Sequence, residues 1–119
     1  MVSKSFLVKN YMIRLGYEMS AMFDDIEIKA RGIIQCEGIG TSDEADNRFI
    51  MYFLTEDSPI PKPFYDVATE TAAIFLPFRD MGQFVDLLRN EEPLSVVLDS
   101  DRPEWSYIGS TREPVGEAE

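Results

Sequence analysis

The sequence predicts an α+β domain: an antiparallel, strongly curved sheet of about four to six strands with one main helix, about residues 80–90, packed on it. Three observations carry this expectation. Tyr11–Met19 and Ile26–Gly32 alternate in polarity with the period of two that a half-buried strand imposes. Phe49-Ile50-Met51-Tyr52-Phe53-Leu54 is apolar at both parities, the mark of a central strand covered on two faces. From Asp80 the period becomes helical, with Met81, Phe84, Val85, Leu87 and Leu88 on one stripe.

Taken in chain order, Tyr11, Ile13, Leu15, Tyr17 and Met19 share one side of the first strand, and Phe6 and Val8 have the opposite parity. The slip near Asn10 calls for a bulge or two short strands, and the mixed spacing also permits a helix. In the next strand Ile26, Ile28 and Ala30 point inward while Glu27, Lys29 and Arg31 point to solvent. Gly38, Gly40, Thr41 and the polar run Ser42–Asn47 make a turn before the central strand.

Pro59, Pro61 and Pro63 remove backbone donors, so residues 56–63 form a loop or an extended edge segment and no ladder strand. Thr71–Phe78 reads as a strand. Asp80, three residues before Gln83, resembles a capping box and starts the helix, which ends near Asn90, ahead of Pro93. Leu94–Leu98, a turn at residues 99–103 and Trp105–Ile108 close the domain as a hairpin. A single α+β domain therefore spans 1–110, and 111–119 form an acidic flexible tail.

The 119 residues suffice for one core, and no apolar run approaches the roughly 20 residues of a membrane span. Met1–Ser5 has no signal-like apolar stretch and the single cysteine, Cys36, cannot form an internal disulfide, so we expect a cytoplasmic protein. The net charge of −11 is uneven: residues 1–36 carry +1 and the remainder −12. Such a field repels phosphate backbones and anionic lipids and favours partners with basic surfaces.

There is no histidine, which removes the commonest general base and metal ligand together with every Ser-His or Cys-His pair. No phosphate-cradling or nucleophile-elbow motif occurs, and Gly38-Ile39-Gly40 opens no helix. We therefore expect no catalytic residue, no cofactor and no metal centre. The acidic loops 43–47 (Asp43, Glu44, Asp46, Asn47) and 99–101 (Asp99, Asp101) read as solvated turns. Cation binding or carboxylate chemistry there is a weaker alternative. Cys36, ending an apolar parity run, reads as a buried, unreactive thiol.

Aromatics at strand parity, among them Tyr11, Tyr17, Phe49, Tyr52, Phe53, Phe75 and Trp105, read first as core; stacking on nucleobases would need them exposed beside cations. If the strands of residues 11–19 and 26–34 pair, Arg14, Lys29 and Arg31 can share a face and offer a small nucleic-acid-binding patch, diluted by Glu18 and Glu27. The helix stripe Met81, Phe84, Val85 and Leu88, added to the doubly apolar strand 49–54, exceeds what one small sheet face covers. That excess points to a helix-packed two-fold homodimer.

This order of about four strands and a helix, across residues 3–90, resembles the β4-α unit of the Whirly and Pur-like single-stranded-nucleic-acid-binding folds and is similar to small cyanobacterial proteins of that general fold. The resemblance implies dimers whose helices pack across a two-fold. The chain lacks a lysine-rich Whirly motif and has the opposite charge, so no residue role is carried over. The leading expectation is a non-enzymatic, homodimeric interaction or regulatory module acting through protein contacts. A single-stranded DNA or RNA binder is the alternative.

Overall fold

The computed structural model describes residues 3–39, 46–66, 68–90, 93–99, 102–103 and 106–110. The tail 111–119, Trp105 and most of the acidic loops lie outside these residues. The architecture is α+β, mostly strands with one helix, arranged as two sheets. β1 (Ser3–Leu7), β7 (Leu94–Asp99) and β8 (Tyr107–Ser110) form the smaller, in the order β1-β7-β8. The larger runs β2-β3-β4-β6-β5, from β2 (Asn10–Phe23), β3 (Ile26–Ile39), β4 (Asp46–Leu54), β5 (Phe64–Asp66) and β6 (Thr71–Pro77). A 3-10 turn, Phe78–Asp80, leads directly into α1 (Met81–Asn90), so Asp80 belongs to that turn instead of standing as an isolated cap.

Two expectations about the sheet change. It is mixed, because β4 and β6 run parallel while every other pair is antiparallel. The proline segment causes this: residues 55–63 pass the end of β6 and lay β5 on its far side, so β6 returns in the direction of β4. Neither sheet is strongly curled, and both keep open edges. The slip near Asn10 resolves into two strands, with β1 in one sheet and β2 in the other.

Asp24 and Asp25, both at positive φ (48° and 67°), close the β2–β3 hairpin as a two-residue turn whose twist matches the strands. The hairpin is irregular twice at one level. Residues 16–18 of β2 oppose Arg31 alone, and β3 slips against β4 between Ala30 and Gly32. Bulges sharpen twist and bend, and here they bring Phe23 at the hairpin tip over the sheet. Its ring lies 5.1 Å from Tyr52, 5.2 Å from Phe75 and 5.9 Å from Phe64.

The larger sheet therefore carries a core on each face. On one, β1, β7 and α1 cover Ile34, Cys36, Phe49, Met51 and Phe53. On the other, the bent hairpin covers Ile28, Ala30, Leu54, Ala73 and Phe75, with Tyr52 and Phe75 stacked at 5.4 Å. The segment 55–63 is laced to β3: Thr55 N–H donates to the Lys29 carbonyl and Lys29 N–H to Ser58 Oγ, both at 2.9 Å. No helix of the described residues is long and apolar enough to cross a membrane.

Candidate functional site

Among the described residues, the longest unpaired strand edge is that of β2. It is an edge strand of 14 residues, and among the described residues no strand pairs its outer side. Every second residue of such a strand turns its N–H and C=O outward, leaving about seven residues ready to template another strand. The other edges are blunt, with three residues in β5, four in β8 and five in β1. Proteins ordinarily guard a long edge with charges or proline; β2 has no proline and two charges, Arg14 and Glu18.

Its apolar side chains are correspondingly bare. Tyr17 is 88% exposed, Leu15 70% and Met22 62%, with Tyr11 and Met12 also exposed. This corrects the reading of Tyr11 and Tyr17 as core. Ile13 packs against one core and Ala21 and Phe23 against the other, while the exposed apolar side chains of β2 join neither. The aromatics divide accordingly: Phe49 and Phe53 are core, whereas Tyr11 and Tyr17 are exposed on β2.

The strands of the expected basic patch do pair, yet the structure does not gather its residues. Ile28 and Ala30 belong to one core while Ile34 and Cys36 belong to the other, although all four have the same parity; the bulge at Arg31 switches faces. Arg14 pairs with Ile33, which pairs with Tyr52, and its charge acts on the Tyr52 hydroxyl, whose pKa burial raises. Arg31 instead lays its guanidinium 4.7 Å from the Phe78 ring centre. Lys29 is shared between Glu18 at 4.0 Å and Asp57 at 3.8 Å.

The α1 stripe expected at a dimer interface lies against the chain's own core. Met81 and Leu88 are buried, and Phe84 and Val85 pack beside them, with Phe84 5.6 Å from Phe53. The second small sheet joins α1 over the same face.

Two open grooves flank Phe78. One of about 700 Å³ runs between Leu15 and Arg79, Val85 and Arg89; the other, about 600 Å³, lies among Arg31, Leu54, Ile60 and Phe75. Neither holds converging carboxylates. The groups with displaced acidities are scattered: burial pushes the Cys36 thiol up to about 12, and exposed Asp57 is lowered first by the Thr55 hydroxyl at 2.7 Å and then by its own N–H and Lys29. Among the described residues no three acidic or thiol side chains gather as metal ligands.

Of the acidic loops, Asp43, Glu44 and Asp101 lie outside the described residues. Asp99 is buried, not solvated: its Oδ1 accepts from Arg102 N–H at 3.0 Å, and its own N–H donates to Ser106 Oγ at 3.0 Å, which ties the turn after β7. Comparison with protein families, with curated proteins and with solved structures finds no match to this chain.

Proposed function

We propose that this protein is a non-enzymatic interaction module that docks another polypeptide along β2. One observation carries the reading: a 14-residue edge is left open and apolar in a fold whose other edges are short. Strand addition supplies main-chain hydrogen bonds for affinity and alternating side chains for specificity. The charge of −11 disfavours phosphate backbones and speeds encounter with basic protein surfaces.

A second reading, a single-stranded nucleic-acid binder of the Whirly/Pur-like type, draws on the exposed rings of Tyr11 and Tyr17 on β2, on which bases can stack. Fluorescence anisotropy of labelled ~20-nucleotide DNA and RNA strands, at low and physiological salt, separates the two. The docking reading expects silence to tens of micromolar protein. Saturable binding that weakens with salt would replace it with the second.

A further inference from the structure

We infer that the occupant of the β2 edge is an extended acidic segment of another protein, whose large apolar side chains, four residues apart, enter two grooves between β2 and α1. This rests on the reading of β2 as a docking edge and names its occupant.

The arm of β2 ahead of its irregular residues keeps one register. Tyr11, Ile13 and Leu15 stand opposite Cys36, Ile34 and Gly32 of β3, and side chains directly opposite in a sheet share a face. Cys36 and Ile34 belong to the core beneath α1, and a Cβ on Gly32 would strike Met81 Sδ at the start of α1. The three side chains of this arm therefore all look toward α1.

A groove lies at each end of that row. Leu15 faces Met81 and Val85 across the groove of about 700 Å³, and Tyr11 faces Leu88 and Leu94 across another of about 290 Å³. Between them Ile13 is half-buried on the core. The strand spans ~13 Å from Leu15 to Tyr11 and the helix ~10 Å from Met81 to Leu88, so α1 accompanies the arm from one groove to the other.

A strand hydrogen-bonded to this arm repeats its spacing, with every second side chain on the α1 face. Residues i and i+4 of that strand fall beside Leu15 and Tyr11, and residue i+2 beside Ile13. Those at the ends must be large to reach past the exposed Leu15 and Tyr11 to the helix.

Charge decides what else the segment carries. Arg79 and Arg89 line the groove at Leu15, and Lys9 lines the groove at Tyr11. All three are exposed, and among the described residues none makes an ion pair. Asp86 is the one acid lining either groove among the described residues, and its Oδ1 already accepts from Asn90 Nδ2 at 2.6 Å. A chain of −11 thus sets three unpaired cations beside its longest open edge. They act on a docked segment within a Debye length of about 8 Å, whereas the acidic remainder acts on the partner as a whole. Nucleic acid is anionic too, but it has no main-chain amides to complete a strand edge.

Fluorescence anisotropy of two labelled nine-residue peptides tests the inference. Both carry leucine, valine and phenylalanine at alternate central positions, separated by threonine; one has two glutamates at each end and the other two lysines. Identical ends make the probes indifferent to strand direction. The glutamate peptide should bind the full chain about tenfold tighter than the lysine peptide. Leu15→Ser should weaken it about tenfold, whereas Tyr17→Ser, beyond the arm and also exposed, should leave it unchanged. R79E/R89E should reverse the preference between the peptides, an outcome that loss of fold cannot imitate.

Equal binding of the two peptides, tighter binding of the lysine peptide, indifference to Leu15→Ser, or a preference unmoved by R79E/R89E overturns the inference while leaving β2 a docking edge. Binding of neither peptide at tens of micromolar protein, or saturable binding of the DNA or RNA strands, removes the docking reading beneath it as well, so the two failures are told apart.

Discussion

Helix α1 and strand β2 both carry apolar stripes, and they end in opposite places. The stripe of α1, Met81, Phe84, Val85 and Leu88, lies against the core of its own chain, whereas Leu15, Tyr17 and Met22 of β2 stay in solvent. A helix satisfies its backbone internally and has one apolar face, so a single packed surface completes it. A strand needs two faces covered and two edges paired. β2 has a neighbour on one edge only, and its bulge turns half its length away from the nearer core. Equal hydrophobicity thus yields a structural element in one case and an unfinished surface in the other.

The largest expected effect breaks the molecule on the α1 side of this contrast. Leu88→Ala removes a buried side chain beneath the helix and should cost about 2–5 kcal/mol in chemical denaturation. Leu15→Ala, 70% exposed, should cost less than about 0.5 kcal/mol in dilute protein. If β2 docks the acidic peptide, that small loss should grow once the peptide is added, because a ligand bound to the folded chain stabilises it. Equal losses with and without the peptide would dissolve the contrast.

Next in size is an alkaline effect at the junction between the two regions. Cys36 lies on β3 directly opposite Tyr11 of β2 and is fully buried; desolvation raises its pKa from 9.0 to about 12. The fold therefore favours the neutral thiol. Its contribution is fully present below the unfolded value near 9 and is lost as pH rises toward 12, at up to about 1.4 kcal/mol per pH unit. Comparing Cys36→Ala with the parent between pH 8 and 10.5 isolates this slope. A thiol-reactive probe should label the folded parent at pH 8 only as fast as β2 and β3 open.

The same contrast explains what was legible in the sequence. The stripe Met81–Leu88, the alternation of Ile26–Gly32 and the prolines at 59, 61 and 63 are local signals, and a helix, a strand and a loop stand where they point, although Ile26, read as inward, is exposed beside the hairpin turn. Strand direction is not local: nothing in Thr71–Pro77 distinguishes a parallel neighbour of β4 from an antiparallel one. Tyr11, Ile13, Leu15 and Tyr17 alternate identically whether or not a layer lies above them, so the core row and the exposed row could not be told apart. Parity counted through the pairing groups Arg14 with Lys29 and Arg31, and the extra residue at Arg31 breaks that count. The edge itself had a faint signal, a 14-residue strand with two charges and no proline.

The smallest effect sharpens the comparison from the solvent side of α1. Gly82 is exposed in the helix, and a Cβ there would meet nothing within 4 Å, whereas a Cβ on Gly38 would strike the Leu7 carbonyl oxygen and the Phe6 ring, where β1 crosses β3. Gly82→Ala should therefore stabilise the protein by about 0.5–1 kcal/mol, because alanine restricts the unfolded chain and suits the helix without touching a neighbour. If α1 packed across a two-fold partner, a methyl on its outer surface could also change the association constant. If β2 is the docking edge instead, Gly82→Ala should raise the denaturation midpoint and leave the mass in solution at each concentration unchanged. A shift in association without a shift in midpoint would move the interface from the strand back to the helix.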